Sequence, residues 1–223
     1  MKRKAAIAAL EELPPSGVIG IGTGSTAKLF IDALAKLGRP YQCVPTSDAS
    51  RKQAASLGLA LLSDDGPWDI AVTVDGADEV DPQLNLIKGG GGALLHEKIV
   101  VSASRQVIII ADSSKQVCVL GKVPLPVEVI RFAEALVSEK ISVLGATVRL
   151  RKDKAGKPFI TDEGNHILDC HFGQIPDPPA LAHTLSEIPG VVEHGLFINL
   201  ADLMLLGKGS EVLEFRREPL TEQ

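Results

Sequence analysis

Between Thr73 and Lys98 the chain reads TVDGADEVDPQLNLIKGGGGALLHEK. Asp75, Asp78, Glu79 and Asp81 crowd into one short segment, Lys88 and four consecutive glycines follow, and then come His96, Glu97 and Lys98. Carboxylates this close repel one another unless protons, hydroxyls or a cation use them. Lys88 and the bare backbone of Gly89, Gly90 and Gly91 suit a different task, holding charge on an oxyanion, because glycine lets N–H donors come close. Glu97 lies about one turn into the following helix, where a first-turn acid is also favoured by the helix dipole. His96 reads as a packed or solvated neighbour. Clustered acids also suit Mg²⁺ or Ca²⁺, but the calcium-loop spacing, acids at alternate positions with a late glutamate, is absent, so no metal site is expected.

Two further loops belong with this one. Gly22-Thr23-Gly24-Ser25-Thr26 joins a short apolar run to a helical pattern. Its glycines admit a ligand to the backbone, its hydroxyls donate, and a helix N-terminus offers unpaired N–H groups to a phosphate. It also fits a relaxed dinucleotide pattern, Gly22-x-Gly24-x-x-Ala27, but no ribose-binding acid follows strand two before Asp48. Asp75-Gly76-Ala77-Asp78 ends another strand, at the edge where open α/β sheets bind ligands. Lys115, in Ala111-Asp112-Ser113-Ser114-Lys115, sits at the same edge. No nucleophile elbow, P-loop or cofactor-lysine motif is evident. The combined chemistry is proton transfer on a small, phosphorylated, oxygen-rich molecule.

The elements that must position these loops alternate. Gly17 to Gly22 reads as a buried strand, followed by a helix that Ser25 or Thr26 caps and Gly38 stops. Tyr41 to Val44 is a strand and Ala49 to Leu57 a helix. Leu59 to Leu62 and Asp69 to Val74 are strands, Ala93 to Ser104 a helix, and Val107 to Ala111 a central strand. Alternation of this kind implies an α/β fold with a doubly wound, mostly parallel, Rossmann-like sheet, and continuous apolar strands imply cover on both faces. Near residue 121 the pattern changes. GKVPLPVEV reads as a hinge into a second, smaller α+β unit of the ferredoxin-like, split βαβ kind. Its order is a strand from Val127, a helix Arg131 to Lys140, strands at Ala146 to Leu150 and at Phe159 to Thr161 or Ile167 to Cys170, a helix Pro179 to Glu187, and a strand Val191 to Asn199. The expected domains are 1–122 with 200–223, and 123–199.

Composition narrows the class. A net charge of −5, with no local block of Lys and Arg, argues against nucleic-acid binding. No apolar run reaches about 18 residues, so no membrane span is expected. The start, MKRKAAIAALEEL, opens like a signal peptide but turns acidic and meets Pro14-Pro15, and reads as an amphipathic first helix. Three cysteines, Cys43, Cys118 and Cys170, are odd in number and far apart, which fits reduced cytoplasmic thiols better than disulfides or zinc.

GIGTGST, TVDGADEVD, LIKGGGGALLHEK and ADSSK, in this order and spacing, resemble the signatures of the type A ribose-5-phosphate isomerase family. The resemblance runs from about Lys2 to the C-terminus. It implies interconversion of D-ribose 5-phosphate and D-ribulose 5-phosphate in the pentose phosphate pathway, no metal or organic cofactor, and a homodimer or homotetramer. On matching positions it implies substrate contact by Thr23, Gly24, Ser25, Thr26, Asp75, Gly76, Ala77, Asp78, Lys88, Gly89, Gly90, Gly91 and Lys115. Glu97 is implied as the proton acceptor, with Asp75, Asp78 and Lys88 also catalytic, and Lys2 or Lys4 near the phosphate. The competing readings are a sugar-phosphate deaminase of similar fold and a sugar-phosphate sensor module, though Met1 to Gly20 is too short for a helix-turn-helix segment.

Overall fold

A computed structural model describes residues 1–217. The first half runs α1 (Lys2–Ala8), β1 (Gly17–Ile21), α2 (Ser25–Ala35), β2 (Tyr41–Pro45), α3 (Asp48–Ser56), β3 (Ala60–Leu61), β4 (Ile70–Asp75), β5 (Glu79–Val80), β6 (Leu86–Ile87), α4 (Leu94–Ser102) and β7 (Val107–Asp112). The second runs β8 (Leu125–Val129), α5 (Glu134–Val143), β9 (Thr147–Leu150), β10 (His166–His171), α6 (Pro178–Ser186), β11 (Val191–His194), β12 (Leu196–Phe197), β13 (Leu203–Lys208) and β14 (Glu211–Arg216).

The main sheet has the order β14-β13-β7-β4-β1-β2-β3 and is parallel except for the antiparallel edge strand β14. Its strands are apolar at successive positions because both faces are covered. Ile19, Ile21, Ile108, Ile110, Leu203 and Leu205 pack on one face with Phe30, Ile31 and Leu34 of α2. Ile109, Ala111, Met204 and Leu206 pack on the other. The C-terminal strands β13 and β14 therefore belong to this sheet, and residues 218–223 lie outside the described part.

The second unit forms the sheet β11-β8-β10-β9, antiparallel throughout, with α5 and α6 contributing to its core. Its chain order, βαββαβ, is the one the sequence implies. A third sheet, β12-β6-β5, was not foreseen and lies between the two cores. Ile87 and Leu196 pack with the small unit, whereas Leu86 and Phe197 pack with the large one. Strand alternation accounts for this, because successive side chains leave opposite faces.

Several local expectations need correction. GKVPLPVEV is more than a hinge, since β8 begins within it at Leu125. Phe159 to Thr161 is not a strand, and the alternative, Ile167 to Cys170, lies in β10. The run Val191 to Asn199 breaks at Gly195 into β11 and β12, which join different sheets. Neither Ser25 nor Thr26 caps α2: its N-cap is Gly24, with no side-chain hydrogen bond, so the first N–H groups of the helix stay uncapped.

Candidate active site

The loops after β1, β4 and β6 converge on one cavity of about 110 Å³. Thr23, Gly24, Ser25 and Thr26 form part of its wall, with Gly76, Ala77 and Asp78 beside them. Lys88, Gly89, Gly90, Gly91 and Glu97 supply more of it, and Lys2 and Lys115 add two cations. Fourteen of the positions weighed from the sequence thus meet in space. Asp75 is the exception among the expected substrate contacts: it is fully buried and lies behind the wall.

Each side chain is placed by a local cause. Asp75 ends β4, and its Oδ1 accepts from the backbone N of Thr23 at 2.9 Å and of Gly76 at 2.7 Å. Only glycine fits at position 22, where an added Cβ would stand 2.0 Å from that oxygen. Lys88 directly follows β6 with the parity of Leu86, so it points toward the large core. Its Nζ donates to Gly76 O at 2.6 Å and to Glu97 Oε1 at 3.2 Å. It also lies 2.9 Å from Asp75 Oδ2, as an ion pair whose alignment falls short of a hydrogen bond. The Phe197 ring centroid is 5.5 Å from the same ammonium, a cation–π distance.

Glu97 occupies the buried stripe of α4 with Leu94, Val100 and Val101. That spacing is the period of a helix face turned to a core, so the carboxylate is carried into an apolar setting. Glu97 Oε2 is buried and has no hydrogen-bond partner. Burial pushes the Glu97 carboxyl up to about 8, Lys88 pulls it back, and the negative charge of Asp75 raises it again. For Lys88 burial acts downward, but Asp75 and Glu97 outweigh it and hold the ammonium above the ordinary lysine value.

The four-acid cluster divides. Asp78 faces the cavity, and its Oδ2 accepts from Gly90 N at 2.8 Å. Glu79 is buried elsewhere, accepting from Gly121 N at 2.7 Å and Val123 N at 2.6 Å. Asp81 closes the turn to β6, accepting from Gln83 N, Asn85 N and Asn85 Nδ2. Glu79 and Asp81 therefore serve backbone donors, not a ligand. No group of three or more His, Cys, Asp or Glu among the described residues could hold a metal. His96 turns from the cavity to Glu163, 2.7 Å away.

The uncapped start of α2 is joined by Lys2, whose Nζ donates to Ser25 Oγ at 2.9 Å. Lys4 instead bonds Ser210 O, so Lys2 is the lysine at the cavity. Lys115 closes a short 3₁₀ turn whose N-cap is Asp112, accepting from Ser114 N at 3.0 Å. Thr23 Oγ1 is tied to Thr46 and Ser47 and its backbone N to Asp75, so both of its donors are engaged within the protein. Two neighbours had no sequence signal. Phe197 lies in a two-residue strand, and Arg151, which bonds Gly89 O and Gly90 O, lies in a charge-rich stretch without a motif.

The profile of the ribose 5-phosphate isomerase A (phosphoriboisomerase A) family matches residues 42–211. A ribose-5-phosphate isomerase A of Parvibaculum lavamentivorans is 50% identical over 96% of this chain and 97% of its own. A solved D-ribose-5-phosphate isomerase in complex with phospho-erythronic acid superposes with a TM-score of 0.93 at 40% identity, covering 97% of each chain. Ribose 5-phosphate isomerase A from Methanocaldococcus jannaschii gives 0.91 at 38% identity, over 96% of this chain and 97% of that one. Matched along nearly its whole length at up to half identity, the chain belongs to the ribose 5-phosphate isomerase A family.

Proposed function

We propose that this cavity interconverts D-ribose 5-phosphate and D-ribulose 5-phosphate through a cis-enediol, with Glu97 as the base. An aldose and its ketose differ by a proton moved from C2 to C1 and by a proton exchanged between O1 and O2. Glu97 takes the C2 proton and returns it to C1. One observation carries this assignment: on the cavity wall stands a carboxylate with one oxygen buried and without a partner, beside a buried ammonium, whereas Asp75, with the same unpartnered oxygen, does not line the cavity. A base held near 8 is matched to proton abstraction close to neutral pH, and such positioned acid–base catalysis is worth about 10²–10⁴-fold.

Lys88 and the N–H groups of the glycine loop stabilise the oxygen that becomes negative. Asp78, on the cavity wall, handles the hydroxyl protons and assists ring opening. Asp75 acts from behind by holding Lys88 and the Thr23 and Gly76 backbones. The uncapped start of α2, Lys2 and Lys115 receive the 5-phosphate. The reaction is placed in the non-oxidative pentose phosphate pathway.

Two units are proposed, 1–122 with 200–223 and 123–199, on the support of their separate cores. A homodimer or homotetramer is supported by the outward stripe Phe132, Leu136 and Val143, with Phe132 fully exposed. Cytoplasmic placement is supported by three unpaired cysteines. A direct assay tests the function: wild-type protein converts ribose 5-phosphate to ribulose 5-phosphate and leaves free ribose nearly untouched. Inertness toward ribose 5-phosphate would overturn the reading.

A further inference from the structure

Arg151 reaches from the small unit to the glycine loop. It follows β9, and its Nη1 donates to Gly89 O at 2.8 Å and to Gly90 O at 3.3 Å. Its other edge is held by Asp169 on β10, where Nε donates to Oδ2 at 3.0 Å and Nη2 pairs with Oδ1. The two side chains are only 14% and 21% exposed. A planar guanidinium gripped on one edge by a carboxylate is a rigid fork, and its remaining donors point where the pair directs them.

Two consecutive carbonyls on one donor fix two peptide planes. In a trans peptide, the C=O of one residue and the N–H of the next point in opposite directions. Gly89 O shares a plane with Gly90 N, and Gly90 O shares a plane with Gly91 N. With both oxygens turned toward Arg151, both N–H groups are turned away from it. On that far side Gly90 N meets Asp78 Oδ2, and Gly91 lines the cavity. Gly89 O also accepts from Gly92 N at 3.0 Å, so the turn shares in holding that plane, whereas Arg151 is the one donor to Gly90 O among the described residues, and glycine peptides otherwise rotate with little steric penalty.

We propose that Arg151, braced by Asp169, is a positioning residue for the isomerisation: it aims the Gly91 N–H at a substrate oxygen that becomes negative and keeps the Gly90 N–H on Asp78 Oδ2. Arg151 is not part of the cavity wall and acts only through the loop. The same segment also bounds the loop's end. Phe159 N donates to Arg151 O at 2.9 Å, and the Phe159 ring would lie 2.4 Å from a Cβ at position 92. The small unit thus holds the oxyanion donor of Gly91 while the large unit carries the base. The inference rests on the isomerase reading of the cavity.

The test uses Arg151→Ala, Arg151→Lys and Asp169→Asn beside the wild type, assayed on ribose 5-phosphate, with phospho-erythronic acid as inhibitor and thermal melts as a check on folding. In Arg151→Ala, kcat should fall about 10–100-fold with KM changed less than about threefold, since misaimed donors cost transition-state stabilisation more than ground-state binding. Inhibition by phospho-erythronic acid should weaken. Guanidinium in the buffer should restore part of kcat to Arg151→Ala and none to the wild type, and Arg151→Lys should recover part of the loss. A purely structural role would move the melting temperature and none of these. If Arg151→Ala does not fold, Asp169→Asn, which keeps the arginine and loosens only its brace, decides by the same kcat-against-KM criterion. A folded variant with unchanged kcat, or with only KM raised, overturns the clamp. An inactive wild type overturns the isomerase reading instead, so the two failures are distinct.

Discussion

Lys88 Nζ stands 3.2 Å from Glu97 Oε1, and both side chains are almost wholly buried. The pair holds the carboxylate close to a fixed positive charge without neutralising its other oxygen, which has no partner. That relationship sets the pH behaviour.

Burial raises the Glu97 carboxyl to about 8, with Lys88 opposing the shift. The base acts only when ionised. Activity is therefore lost as pH falls through the raised value, and kcat/KM for ribose 5-phosphate should climb toward a plateau above about pH 8. Lys88→Met removes the group that lowers the carboxyl, so the limb should move to higher pH while the plateau drops. A kcat/KM profile that stays flat from about pH 6 to about pH 8 in the wild type would contradict this placement of the base.

Glu79 should behave as a structural acid although it adjoins Asp78. Glu79→Ala leaves Gly121 N and Val123 N without their acceptor. Each unsatisfied buried donor costs about 1–3 kcal/mol. Denaturant titration should show that loss, while turnover per folded molecule stays near the wild-type value. A stable variant with impaired turnover would place Glu79 in the chemistry.

These neighbours show where sequence reasoning stops. The crowding of acids was legible, and so were the lysine, the glycines and Glu97, because no packed core or solvated surface needs that arrangement. Which acids face the ligand was not. Asp78 precedes β5 and Glu79 begins it, so they leave the chain in opposite directions, and only the position of Gly121 decides what Glu79 meets. Asp75 was read as a substrate contact, yet the strand carries it beneath the wall, where Lys88 covers it. The parallel sheet could be read from its uninterrupted apolar strands, whereas β5, β6 and β12 are two residues each and carry no periodicity. Arg151 acts through an approach of two distant segments, 62 residues apart from Gly89, that no local pattern announces.

Chelation should leave catalysis intact. Asp75 Oδ1 is saturated by two backbone N–H groups and its Oδ2 faces an ammonium, a setting that repels a metal cation. Prolonged dialysis against EDTA should not change kcat. Loss of activity that Mg²⁺ or Mn²⁺ restores would show that a cation does enter among these acids.

Phosphate binding should separate from turnover. Thr26 lies on the cavity in the first turn of α2, and Lys2 adds charge beside Ser25. Thr26→Val and Lys2→Met should each raise KM for ribose 5-phosphate by about tenfold, with a smaller change in kcat, as expected for binding shared by ground and transition states. Steady-state kinetics on each variant checks this. A fall in kcat at unchanged KM would move the phosphate elsewhere.

The most direct test of the account follows the carbon-bound proton. In D₂O the wild type should place deuterium at C1 of ribulose 5-phosphate or C2 of ribose 5-phosphate. Glu97→Gln keeps the size and hydrogen bonding of the side chain but cannot take a proton, so it should lose about 10²-fold or more in kcat and nearly cease this exchange. Asp78→Asn should slow turnover yet leave measurable exchange from the open-chain sugar. The account predicts that pattern by NMR; near-normal exchange in Glu97→Gln, with exchange abolished in Asp75→Asn or Asp78→Asn, would contradict it and give the base to an aspartate.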